Sequence, residues 1–144
     1  MQVFQPSALW SLFYLLQVKE HLKDDFHSLA VHCEGLPLGE GSPAYPFTGF
    51  VLNICVATSG HRDSGDLRLC VVMPFGNWMG GELCLYELRL VFEAGPGDLV
   101  IFPSCEITHF NLHMTGERCS LVLQTDKGMG RWKDFLNHWD GHIA

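Results

Sequence analysis

At 144 residues the chain can bury one sizeable core but not two. Nearly half of it is apolar (47%), which argues against disorder, and no run approaches the roughly 20 apolar residues of a membrane-spanning helix. Nine basic residues against 16 acidic give a formal net charge of −7, which runs against broad affinity for phosphate backbones, since that affinity is built from Lys and Arg.

The first apolar stretch has Ser7 as a candidate N-cap, then Leu9, Trp10, Phe13 and Leu16, and later Leu22, Phe26 and Leu29. That spacing predicts one long helix or two short ones packed on a core. The stretch lacks a basic leader and is soon interrupted by Lys19 and Glu20, so it reads as a structural helix and not as a signal peptide. The six cysteines are scattered without a C-x-x-C pair, and several fall in apolar runs, such as Leu69-Cys70-Val71 and Leu83-Cys84-Leu85. They read as reduced core thiols of an intracellular protein, nuclear or cytoplasmic and not secreted.

Residues 35–46 are rich in Gly and Pro and predict an irregular connection. Strand-like runs follow at 50–56, 67–73, 82–88, 99–102, 107–113 and 118–125, with turn signals at Phe75-Gly76-Asn77, Gly95-Pro96-Gly97 and Thr115-Gly116. Many short strands at even spacing predict a sandwich or barrel, most economically a jelly roll. Trp132, Phe135, Leu136 and Trp139 then predict a short closing helix over 131–139. The chain thus reads as one domain in three parts: a helical N-terminal layer and loop (1–46), a β core (47–126) and a C-terminal helix (127–144).

Four residues of the β region carry chemistry. His61-Arg62-Asp63 is a His-x-Asp pair, and in an extended chain residues i and i+2 face the same way, so both can grip one ion. A distant histidine would complete a two-histidine, one-carboxylate face, the set characteristic of non-haem Fe(II) oxygenases. His109 is the preferred third ligand. His113 is its rival on the same strand face, but it stands too near Arg118 to leave room for a co-substrate between iron and guanidinium. Arg118, nine residues beyond His109, enters an apolar run where a cation needs an anion. A guanidinium fork binds both oxygens of a carboxylate, so iron and arginine together suit a dicarboxylate such as 2-oxoglutarate.

In order and spacing, His61-x-Asp63, Gly80-Gly81-Glu82-Leu83, 96–104, His109 and Arg118-x-Ser120 resemble the Fe(II)/2-oxoglutarate dioxygenase superfamily over a little more than half of the chain. Within it, His61-Arg62-Asp63 and Arg118-Cys119-Ser120-Leu121-Val122 resemble the TET/JBP group, which oxidises methyl groups of 5-methylcytosine or thymine, and most of all its compact fungal transposon-associated members. The resemblance implies a double-stranded β-helix. It also implies Fe(II), 2-oxoglutarate and O2, and DNA carrying a methylated pyrimidine as partner. It gives Ser120 and Asn53 roles beside Arg118 at 2-oxoglutarate, where a core hydroxyl and an ordinary strand amide are the plainer alternatives. Asp66 would contact the polar edge of a flipped base, or else be a turn aspartate. After the arginine the chain departs from the animal members, with Gln124 and Asp126 where an aromatic and a histidine would line the base pocket. A protein side chain is the competing substrate, as in prolyl hydroxylases, and a non-enzymatic cupin-like binding module is the third alternative. Binding of DNA predicts Arg62, Arg68 and residues 127–133 on one rim around the site.

Overall fold

The computed structural model describes the backbone of residues 8–130 and the side chains from Tyr14 onward. Ser7 and the helix expected over 131–139 lie outside the described residues. The N-terminal layer is two helices, α1 (Ala8–His21) and α2 (Lys23–Glu34), parted at Leu22, whose φ of −130° and ψ of 55° are not helical. Asp24 and Asp25 occupy the first turn of α2, where carboxylates complement the helix dipole. Phe26, Leu29, Ala30 and Cys33 recur at helical spacing and are all buried.

The β region is two antiparallel sheets, and the architecture is a jelly roll with flanking helices. The larger sheet comprises β1 (Gly49–Ile54), β2 (Cys70–Gly80), β5 (Val100–Phe102) and β7 (Met114–Gln124) in the order β1-β7-β2-β5. The smaller comprises β3 (Leu83–Leu85), β4 (Leu90–Phe92) and β6 (His109–Asn111) in the order β4-β3-β6. Alternation along the strands divides the core in two. Val71 and Leu123 face the helices and pack with Tyr14, Val18, Phe26, Leu29 and Phe47. Cys70, Val72 and Val122 face the other way and pack with Leu83, Leu85, Phe102 and Ile107. All six cysteines are free.

Two turn expectations are overturned. Both Phe75-Gly76-Asn77 and Thr115-Gly116 lie inside the long paired strands β2 and β7, where Gly76 faces Arg118 and Gly116 faces Trp78. These glycines have φ of +120° and +101°, and a Cβ would stand 2.3 Å from the Glu117 carbonyl oxygen and 2.5 Å from that of Asn77, respectively. They permit close backbone approach within a ladder, not a reversal of the chain. Pro74 is tolerated in β2 because its missing N–H falls beyond the end of β5, which pairs only as far as Val72, and its carbonyl accepts the Gly97 N–H at 2.8 Å. Strand β4 was not expected; its three residues are all exposed and show no alternation to betray them.

Candidate active site

The segment 61–63 is joined to β6 by an isolated antiparallel bridge. His61 and His109 exchange backbone hydrogen bonds, N–H to O at 3.2 and 2.9 Å, and Asp63 N–H reaches the Ser104 carbonyl at 3.0 Å. Residues 48 apart in sequence are thereby set side by side, their rings 4.4 Å apart. Asp63 lies between them, with His61 Nε2 to Oδ1 at 3.5 Å and His109 Nε2 to Oδ2 at 3.4 Å. All three ligand atoms fall within 4.8 Å of one another, close enough to hold one metal ion.

The tautomers suit that role. His61 Nδ1 lies 2.8 Å from the Ser59 carbonyl and His109 Nδ1 2.9 Å from that of Ile107. A carbonyl only accepts, so each Nδ1 donates to it, and Nε2 is the ring nitrogen left to a metal. The Phe102 ring, edge-on 5.0 Å from His109, fixes the second imidazole from behind. His113, the rival ligand, is exposed and outside this group.

A cavity of about 340 Å³, in the usual range for small-molecule sites, opens from the triad between the two sheets. Asn53, Arg118 and Ser120 line it together with His61, Asp63 and His109. The register explains this: Asn53 of β1 faces Ser120 of β7, and Arg118 lies two residues before Ser120 on the same strand face. Asn53 Nδ2 donates to Ser120 Oγ at 3.5 Å. Arg118 is only 7% exposed, and burial pulls its pKa below the usual guanidinium range. Its guanidinium stands 5.5 Å over the Trp78 ring, and its Nε has no hydrogen-bond partner. A buried donor of a charged group left unpaired is costly, and a ligand carboxylate would satisfy it. The residues present therefore fit both groups: a three-ligand face for iron and, across the same cavity, a cationic fork for an acid. Gly81, φ +73°, lies beside the arginine; a Cβ there would meet Arg118 Cδ at 3.7 Å and Met114 Cβ at 3.1 Å.

Asp66 is placed elsewhere. Expected either against the polar edge of a flipped base or in a turn, it is 5% exposed, outside the cavity lining, and accepts the Ser104 hydroxyl at 2.7 Å. Burial raises its pKa above the ordinary carboxylate value. Its backbone bridges Asp126, so this aspartate ties the ligand loop to the end of β7. Gln124 does line the cavity, whereas Asp126 is exposed. Three contributors escaped the sequence reading: Trp78, Phe102 and Cys70, whose buried thiol is pushed up to about 12. Phe102 and Cys70 sit in apolar runs that look like core, and Trp78 directly follows Phe75-Gly76-Asn77, which reads as a turn. Of the rim expected for DNA, residues 131–133 lie outside the described residues; Arg62 is engaged by Glu87 at 2.6 Å, Arg68 by Asp25 at 2.7 Å and Lys127 by the Ser64 carbonyl at 2.8 Å.

Among the described residues no helix is long and apolar enough to cross a membrane. No protein-family model matches the chain, and no curated protein matches it. Among solved structures, NgTET1 in complex with 5mC DNA superposes with a TM-score of 0.68 over 88% of this chain at 16% identity. The chain spans 55% of that protein's length. A 2OG-Fe(II) oxygenase family oxidoreductase from Burkholderia pseudomallei aligns over 56% of this chain and 47% of its own at 24% identity, with a TM-score of 0.46. The jelly roll that brings His61, Asp63, His109 and Arg118 around one cavity is thus a fold shared with NgTET1.

Proposed function

We propose that the protein is an Fe(II)- and 2-oxoglutarate-dependent dioxygenase that hydroxylates the methyl group of 5-methylcytosine, or of thymine, in DNA. The observation that carries the oxygenase reading is the pairing, across one cavity, of the His61–Asp63–His109 face with the unpartnered Nε of buried Arg118. His61, Asp63 and His109 would hold Fe(II), and 2-oxoglutarate would place its distal carboxylate on Arg118, with Ser120 and Asn53 beside it. When bound, these groups and O2 supply oxidation of a substrate C–H bond with release of succinate and CO2. The chain's own part is to orient and to exclude water. Protonated Nδ1 atoms fix the imidazoles, β7 holds the arginine at a set distance from β6, and Val72, Leu83 and Val122 line the cavity with apolar surface.

Methylated DNA is favoured by the shared fold with NgTET1, whose structure contains 5mC DNA. The resemblance of 61–63 and 118–122 to the TET/JBP group supports the same substrate. A base would have to be extruded from its duplex to enter such a cavity. A protein side chain is the second reading, favoured by the net charge of −7 and by the engagement of Arg62 and Arg68 with carboxylates of the same chain. The protein, supplied with Fe(II), 2-oxoglutarate and O2, is offered methylated DNA, unmethylated DNA or a peptide pool, and both succinate and modified products are measured by mass spectrometry. The expected result is 5-hydroxymethylcytosine or 5-hydroxymethyluracil, with succinate release raised by the DNA that yields it. Oxidised peptide with unaltered DNA would replace the substrate; no succinate under any condition would overturn the oxygenase reading.

A further inference from the structure

The metal face has a reverse side, and it is bonded. Because side chains alternate in extended backbone, Arg62 points away from the ion that His61 and Asp63 would grip, and Thr108 points away from the site that His109 enters. Both meet Glu87, which stands in the turn between β3 and β4. Arg62 Nη2 donates to Glu87 Oε1 at 2.6 Å, and Thr108 N–H donates to Oε2 at 2.7 Å. The Thr108 hydroxyl donates to Oε1 at 2.7 Å and itself accepts Arg62 Nε–H at 3.1 Å, so that four hydrogen bonds join the three residues. The turn is anchored from its own side: Tyr86 N–H reaches the Thr108 carbonyl at 2.9 Å, and Arg89, at φ +54°, returns its N–H to the Tyr86 carbonyl at 3.1 Å.

We propose that Glu87 is a positioning residue for the metal site, a carboxylate that locks the His61–Asp63 segment to the His109 strand from the face opposite the ion. The inference rests on the assignment of His61, Asp63 and His109 as ligands. Its physical basis is the weakness of the other links. Segment 61–63 is no part of a named strand and is tied to its surroundings by the two-bond His61–His109 bridge and the Asp63–Ser104 contact. Glu87 accepts from both residues that neighbour the ligands in sequence, so it fixes the twist of each ligand backbone. The carboxylate is suited to this in a way its amide is not. Three donors converge on its two oxygens, and glutamine would turn an N–H2 toward at least one of them. In keeping with that donor set, the Thr108 and Arg62 hydrogen bonds hold the Glu87 carboxyl at about 2, well below its ordinary value.

The test compares the intact chain with Glu87→Gln, Thr108→Val and Thr108→Ser. Co(II) affinity is measured by calorimetry, the Co(II) d–d absorption reports ligand geometry, and Tm is recorded without metal. Partners outside the ligand set commonly change metal affinity about 10–100-fold, and Glu87 is one residue further removed, so Glu87→Gln is expected to weaken Co(II) about tenfold and to shift the absorption. Thr108→Val should do the same and Thr108→Ser should restore both. Unchanged affinity and spectrum in folded Glu87→Gln, whatever its Tm, would overturn the proposal and leave the ligand assignment standing. Should Glu87→Gln fail to fold, the Thr108 pair decides by the same criteria. Failure of the unaltered chain to bind Co(II) would overturn the ligand assignment and the proposal together.

Discussion

The two sheets hold the two halves of the site by different means. The larger sheet presents Asn53, Arg118 and Ser120 from β1 and β7, and β7 is paired on both sides, with β1 over six residues and with β2 over ten. Its outer face is covered by the helices through Val71 and Leu123. The smaller sheet presents His109 from a three-residue strand, next to a segment outside any strand that carries His61 and Asp63, and its β4 is exposed at every residue. The half that carries Asn53, Arg118 and Ser120 is therefore set by a cooperative ladder, and the half that carries His61, Asp63 and His109 by a few discrete hydrogen bonds. Single substitutions should break the first chiefly through the backbone and the second through side chains.

The largest expected effect is on the metal half. His109→Ala removes a proposed ligand and should weaken Co(II) or Fe(II) more than about 100-fold, beyond what loss of a supporting partner produces, while His113→Ala stays within about twofold of the parent by calorimetry. Breaking the ladder comes next. Gly76→Ala forces a Cβ to 2.3 Å from the Glu117 carbonyl oxygen at φ +120°, and should cost about 3 kcal/mol, a fall in Tm of roughly 10 °C. Gly49→Ala, in the same sheet with nothing within 4 Å of the new carbon, should leave Tm within about 2 °C. Arg118→Ala removes the carboxylate partner but no metal ligand. Binding of 2-oxoglutarate should fall at least about tenfold, since charge-assisted bonds contribute about 1.5–3 kcal/mol each, and Co(II) affinity should hold. The smallest effect is a pH dependence. Glu87 titrates at about 2 when folded, below its ordinary 4.5, so its contribution to stability is complete above 4.5 and disappears as pH falls toward 2. Unfolding midpoints followed from pH 5 to 2 should be slightly less pH-dependent in Glu87→Gln than in the parent.

The His61–Asp63 pair and the arginine were legible because their chemistry leaves marks that need no tertiary information, a period of two around Arg62 and a lone cation in an apolar run; His109 was reached through its spacing from Arg118, and the structure sets it beside the pair. The glycines were misread for a physical reason. A positive φ serves a tight turn and a close strand crossing equally well, and Gly76 and Gly116 use it for the second. The resemblance gave Asp66 a contact with a flipped base; the Ser104 hydroxyl that engages it lies 38 residues away in sequence, where no local pattern could show it. The same holds for Glu87, which lies 25 residues from Arg62 and 21 from Thr108 and is joined to them only by the fold. Of the cavity walls, Cys70 and Phe102 read as core because core and cavity lining demand the same side chains.

Strand β1 has a consequence for handling the protein. Among the described residues it is the outer member of its sheet, and Phe50, Leu52 and Ile54 on one of its faces are 62%, 52% and 64% exposed. An edge of this kind offers unpaired peptide groups beside apolar side chains, the arrangement from which sheets propagate between molecules. Here neither a proline nor a lysine interrupts it. What opposes propagation is long-range repulsion between copies that each carry a net charge of −7. Added salt shortens the reach of that repulsion, from a Debye length of about 30 Å at 0.01 M to about 8 Å at 0.15 M. Concentrated solutions should therefore scatter more light as ionic strength rises, and a lysine in place of Leu52 should keep them clear.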